Sequence, residues 1–422
     1  MSARLHRLTT GVRVICDPMP GLETLALSVV AGRGARYEDE ARSGWSHLLE
    51  HMVFKGAGDR SAREIVEVIE QEGGQLNAAT GYERTSFQVR ALKGGLDLGM
   101  AVVADLVLRP TLDAGDLKKE KQVVGQEIAE AADTPDDLVF ELAQAACWQG
   151  QSLGRPILGT VKSIKPADPA ALAAWRAALY APDRLVVSAA GAVDEAELLA
   201  LAEREFGHLP AQAGAPVPPP AVFTAGVAAK DRRLEQAHLV LLLPAPGAGD
   251  DDYFPLRVFV EALGGGMSSR LFQEAREKRG LAYAIDAYAE THPDGGVLGV
   301  YAGCAAKDAA ELAKVTAGEI LDLGASIGAA ELARAKAQLK ASMFMGREQP
   351  LNRAEQSAGQ ILLFDRLFTA ADLAAAIDAV TPADIARLAG RLVGPKLSVG
   401  SVLGSKAALS APAAFETALF GA

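Results

Sequence analysis

Gly44-Trp45-Ser46-His47-Leu48-Leu49-Glu50-His51-Met52-Val53-Phe54-Lys55-Gly56 is the stretch from which the rest of the chain is best read. On a helix, residues four apart stand one turn above each other, so His47 and His51 face the same way. That spacing lets two ring nitrogens reach one ion at about 2.0–2.1 Å. Glu50, three residues after His47, shares their face and lies close enough to serve a metal-bound water without being a ligand itself. With 6 His and 53 Asp plus Glu in 422 residues, accident produces this pattern about once in a hundred such chains. The competing reading is a polar helix face with two solvated histidines. Leu48, Leu49, Met52, Val53 and Phe54 argue against it, because they make the helix largely buried. Two imidazoles and a carboxylate in such a helix need a partner, and a cation supplies one. The order His-x-x-Glu-His is that of an inverted zincin.

A zinc ion that keeps a water takes three protein ligands. Leu117 to Glu130 reads as a helix with Glu120 and Glu127 seven apart, hence on one face. The pattern alone leaves either as the third ligand, with Glu130 also open. Without the histidine pair, all three would read as ordinary surface acids.

Outward from these helices the chain shows signs of duplication. Residues 209–222 (LPAQAGAPVPPPAV) concentrate Pro, Gly and Ala without periodicity and suit a linker, placed near the middle of the sequence. The expected division is 1–208, a linker over 209–222, and 223–422. The first half runs strand (Val12–Ile15), strand (Thr24–Ala31), helix (Gly44–Phe54), helix (Ala62–Glu72), then strands at Leu76–Ala79 and Thr85–Leu92. The second half repeats the order with Ala237–Leu243, a helix through Tyr253–Leu263, a helix over Ser268–Arg279, and strands at Ala282–Ala289 and Val297–Ala302. Later, Ser163-Ile-Lys-Pro-Ala-Asp-Pro-Ala-Ala-Leu172 is echoed by Ala379-Val-Thr-Pro-Ala-Asp-Ile-Ala-Arg-Leu388. Each copy looks like a helix start, with Pro in the first turn and Asp near the positive end of the dipole. A strand follows each, at Arg184–Ala190 and Lys396–Leu403. The predicted fold class is α+β: two homologous domains, each a mainly antiparallel or mixed sheet covered by helices.

Composition narrows the function classes. A net charge of −11 argues against a nucleic-acid partner, which needs a basic surface. Cys16, Cys147 and Cys304 are far apart and lack CxxC spacing, as expected of idle thiols in a reducing compartment. The first twenty residues hold no apolar run of signal-peptide length, and nowhere do about 18 apolar residues run unbroken. The expectation is a soluble cytoplasmic protein without a membrane partner. A glycine run, Gly264-Gly265-Gly266, has no lysine in Walker spacing, so nucleotide binding is not expected.

On these motifs the chain resembles the pitrilysin/insulinase-type metallopeptidases, in particular the short-chain branch that includes mitochondrial processing peptidase and its bacterial relatives. The resemblance covers nearly the whole sequence. Gly44–Gly56 is similar to the family's zinc helix. The distal glutamate ligand matches Glu127 in Gln122-Val-Val-Gly-Gln-Glu-Ile128, and the supporting glutamate matches Glu120. Leu76-Asn-Ala-Ala-Thr80 is similar to the substrate-binding edge strand, which assigns Asn77 and Ala78 to the substrate backbone. The segment Gly264 to Tyr283 is similar to the C-terminal signature, in which the positions of Arg276 and Tyr283 assist catalysis and hold substrate. Trp45 and Ser46 depart from the family's small or apolar residues before the first histidine, and Gly125 interrupts the glutamate helix. What the resemblance implies is a zinc endopeptidase with one Zn²⁺ per chain. Glu50 would act as the base and a homodimer would enclose the peptide substrate. The rival is a non-catalytic scaffold or assembly subunit, as some relatives are. Such subunits lose the zinc ligands or the base, whereas His47, Glu50, His51 and Glu127 are all present here.

Overall fold

The computed structural model describes residues 3–210 and 213–421, and the chain divides into two compact units. The first comprises Met1–Ala129, Pro156–Pro219 and Phe344–Thr369. The second comprises Glu130–Arg155, Pro220–Met343 and Ala370–Ala422. The units change over between Pro219 and Pro220, within the proline-rich stretch, but each is discontinuous in sequence.

The first unit is built on a six-stranded mixed sheet, in the spatial order Arg4–Arg7, Arg13–Pro18, Leu185–Gly191, Thr24–Ala31, Thr85–Leu92, Gln75–Thr80. Arg13–Pro18 and Leu185–Gly191 run parallel, and every other neighbouring pair is antiparallel. The second unit carries five strands in the order Ala282–Thr291, Gly296–Cys304, Ala237–Ala245, Val399–Gly404, Gly226–Asp231. Only the last two run parallel. Taken from the opposite edge, the first sheet has this same order and sense with one strand added, so the expected duplication is present as topology.

Both faces of the first sheet are covered, which is why its central strand Leu185–Gly191 is buried throughout and lacks alternation. Val14, Leu27, Val29, Phe87 and Val187 point into the main core with the helices Trp45–Val53 and Leu96–Leu108. Ile15, Val30 and Val186 point the other way, onto Ala358 and Ile361 of the helix Pro350–Phe364. Arg353 of that helix donates through Nε and Nη2 to buried Asp17, at 2.8 and 2.7 Å, and Glu355 accepts from the Ser28 hydroxyl. In the second unit the helix Pro135–Cys147 packs on the corresponding strands Gly226–Asp231, Ala237–Ala245 and Val399–Gly404. Each unit therefore takes one covering helix from the other half of the sequence.

Two local readings change register. In the first Pro-Ala-Asp copy the helix begins at the second proline, with Asp168 as cap accepting from the Ala171 N–H at 2.8 Å, rather than at Pro166. In the second copy Thr381 caps and Pro382 leads, as expected, closing a capping box with Asp384. The segment expected as a helix over 268–279 is a wide π-helical coil from Phe272 to Lys278. Among the described residues no helix is long and apolar enough to cross a membrane.

Candidate metal centre

The histidine helix Trp45–Val53 is held at its start by contacts that only the folded chain provides. Gly44 lies at φ 87, and a Cβ there would fall 2.4 Å from the Leu158 carbonyl oxygen, so no other residue fits. Glu38, itself buried, accepts from the backbone N–H groups of Gly44 (2.8 Å) and Ser46 (2.7 Å), a negative charge at the positive end of the helix. The Trp45 indole donates to the Ser163 carbonyl at 2.9 Å, and the Ser46 hydroxyl accepts from the Trp175 indole at 3.4 Å. Trp45 and Ser46, the departures from the family pattern, thus anchor the helix. Leu48, Leu49, Met52 and Val53 are fully buried, which turns His47, Glu50 and His51 to the opposite side.

The facing helix, Ala114–Asp133, is seated by buried Leu117 and Val124 and by the Lys121 ammonium, which donates to the carbonyls of Lys165 and Ala167 at 2.7 and 2.5 Å. This brings Glu127 Oε2 to 3.5 Å from His51 Nε2 and 3.9 Å from His47 Nε2. Ligand atoms of His47, His51 and Glu127 all lie within 4.8 Å of one another. Glu120 takes a different post: its Oε2 sits 3.1 Å from His51 Nδ1, and its other oxygen receives the Lys55 ammonium at 2.9 Å. A carboxylate on Nδ1 keeps the proton there and leaves the Nε2 lone pair facing Glu127. Of Glu120, Glu127 and Glu130, Glu127 is the one grouped with the two histidines among the described residues.

The electrostatics suit a cation. Burial, followed by the neighbouring His51, lowers the His47 pKa from 6.5 to about 4, so the ring stays neutral and able to donate a lone pair. Burial raises the Glu50 pKa, opposed in part by hydrogen bonding from Thr80 and by His51. Glu50 Oε2 and Glu127 Oε2 are buried without a hydrogen-bond partner. Carboxylate oxygens that lack a hydrogen-bond partner beside two imidazoles are costly as they stand. A divalent ion with tetrahedral preference is the partner this N,N,O set fits.

The remaining predicted residues fall in two places. Asn77 (exposed) and Ala78 (half-buried) lie on Gln75–Thr80, an outer strand that packs beside the histidine helix and pairs on one side only among the described residues. Arg276 and Tyr283 belong to the second unit. Arg276 sits in the π-helical coil with its guanidinium carbon 4.7 Å from the Phe272 ring centre, and Tyr283 is 62% exposed beside a bulge between Ala282 and Ala284. Sequence reading missed Glu38, Lys55 and Thr80. Lys55 had a signal, one helical turn beyond His51, and Thr80 lay within the quoted strand. Glu38 had none, because its bonds are to backbone.

The chain is similar to known proteins over most of its length. Residues 13–161 match the family described as Insulinase (Peptidase family M16), and residues 166–339 match the Peptidase M16 inactive domain. The chain is 34% identical over 383 residues to an uncharacterized zinc protease of Bacillus subtilis, covering 90% of this chain and 93% of that protein. It is 35% identical over 422 residues to one of Streptomyces coelicolor, covering 96% and 91%. Among solved structures, a protease from Helicobacter pylori superposes with a TM-score of 0.88 at 21% identity, covering 96% of this chain and 99% of that one. A chain of complex III2 from Candida albicans gives 0.85 at 20% identity, covering 99% and 100%.

Proposed function

This chain belongs to the insulinase (M16) family of peptidases, and we propose that it is a zinc-dependent endopeptidase acting on peptides or unfolded, extended protein segments. The observation that carries the reading is the meeting of His47, His51 and Glu127 next to a buried carboxylate, Glu50, with one oxygen unpartnered. His47, His51 and Glu127 would hold a zinc ion, which when bound would lower the pKa of a coordinated water toward about 7 and polarise a peptide carbonyl. Glu50, whose burial raises its proton affinity, takes the proton from the attacking water and returns it to the leaving amine. The substrate backbone adds as a strand along Asn77 and Ala78, a mode that requires extended shape more than sequence.

By resemblance, Tyr283 donates to the developing oxyanion and Arg276 grips a substrate carbonyl through its fork of donors. A π-helical segment at Arg276 accords with that role, since such coils concentrate at functional sites. The reading includes one zinc per chain, a homodimer and a cytoplasmic setting. The last is supported by three cysteines that are buried and not joined in disulfides.

Metal analysis and cleavage of a peptide mixture test it together. The native protein should hold about one zinc per chain and cleave, a chelator should abolish cleavage reversibly, and Glu50→Gln should keep zinc and lose cleavage. A protein without zinc affinity would be the scaffold instead, and undiminished cleavage by Glu50→Gln would remove Glu50 from the role of base.

A further inference from the structure

The outer strand Gln75–Thr80 has two ends with different surroundings. Thr80 adjoins Glu50, while Gln75 opens on a cleft of about 340 Å³ whose walls include Thr24, Gly73, Gln75, Arg90, Leu92 and Pro350. Among the described residues Arg90 is the only charged one lining it, in a chain whose net charge is −11. Its side chain is exposed and makes no ion pair or hydrogen bond among the described residues. An exposed, unspent guanidinium in a cleft with no competing acid on its walls is a site for a carboxylate.

The sheet register connects this cleft to an added peptide. Gln75 lies opposite Arg90, and Arg90 opposite Ala26, so the three form one row on one face of the sheet. Asn77 lies on that face too, whereas Leu76, Ala78 and Thr80 point to the other. A peptide pairing antiparallel with Gln75–Thr80 runs away from Glu50 toward Gln75 as it proceeds to its C-terminus. Its residue opposite Gln75 extends the row, bringing its side chain within reach of the long Arg90 side chain across Gln75. Gln75 lies five positions from Thr80, about 17 Å of extended chain.

We propose that this cleft is a specificity subsite that takes an acidic side chain of the extended peptide on Arg90, about five residues to the C-terminal side of the bond cut. The assignment rests on the peptidase reading above. It makes the substrate class a peptide that carries Glu or Asp well beyond its cleavage point.

The test uses one extended peptide scaffold with an amidated C-terminus, so that the only added carboxylate is a side chain, carrying a single Glu, Gln or Lys at each position in turn. Cleavage is followed with the zinc-loaded native protein, and binding by fluorescence anisotropy with zinc-loaded Glu50→Gln. Glu should exceed Lys roughly five-fold in kcat/KM at one position beyond the bond, through KM, the size expected of one solvent-accessible ion pair. Arg90→Glu should reverse the order, and Arg90→Gln should level it. Identical ranking of the Glu and Lys peptides by native protein and Arg90→Glu, in both assays, overturns the proposal. Cleavage without charge preference leaves the peptidase reading standing and removes the subsite. Charge-selective binding without any cleavage does the opposite.

Discussion

Burial holds the His47 imidazole neutral down to about pH 4, whereas the same residue in the unfolded chain takes its proton near 6.5. Between those values the unfolded chain holds more protons, so folding stability contributed by His47 is complete above 6.5 and is lost as pH falls toward 4. For the metal-free protein the loss should be on the order of 3 kcal/mol. Urea unfolding of chelator-treated protein at pH 7 and pH 4.5 checks this, and His47→Gln should show a shallower decline. Parallel declines would mean that His47 is not the residue responsible. Glu120 acts one bond further out, through His51 Nδ1. Glu120→Ala should weaken zinc binding about 10- to 100-fold, measured by competition with a chelating dye, while leaving the ligand set intact. Unchanged affinity would show that the Lys55 pairing is the residue's whole purpose.

At the scale of the element, the histidine helix depends on what happens at its first turn. Two backbone N–H groups end on the buried Glu38 carboxylate. Removing that acceptor leaves them unsatisfied, so Glu38→Ala should cost about 2–3 kcal/mol in urea unfolding and weaken zinc binding as the helix start loosens. If zinc affinity falls but stability does not, the cap serves the site alone. The apolar side of this helix was legible from Leu48, Leu49, Met52 and Val53, because burial of a helix face follows spacing. Its cap was not legible, since a carboxylate that binds backbone leaves no pattern in side-chain spacing. The wide coil at Phe272–Lys278 was likewise hidden, because its residues read as an ordinary helix.

For the whole molecule, the exchanged helices have a direct consequence. Pro350–Phe364 covers Ile15, Val30 and Val186 of the first sheet, and Pro135–Cys147 covers the second. A chain cut at 219/220 would give two fragments that each lack the helix covering their own sheet. Expressed alone, residues 1–219 and 220–422 should each aggregate or bind a hydrophobic dye. Expressed together, they should form a soluble pair that regains the zinc affinity of the intact chain. A first fragment that is monomeric and binds zinc normally by itself would show that the sheet tolerates an open face.

What the sequence determined by itself was local: the His47, Glu50 and His51 face, the apolar strand runs, the repeated order of elements, and Glu120 and Glu127 as candidates on one face. These follow from fixed helical and strand periods, which hold wherever the segment is placed. What the tertiary structure alone decided was which carboxylate lies beside both imidazoles, which one contacts His51 Nδ1, and which helix closes which sheet. Those outcomes join residues as far apart as His51 and Glu127, or Asp17 and Arg353. Their geometry is set by packing between elements, for which no spacing along the chain carries a record.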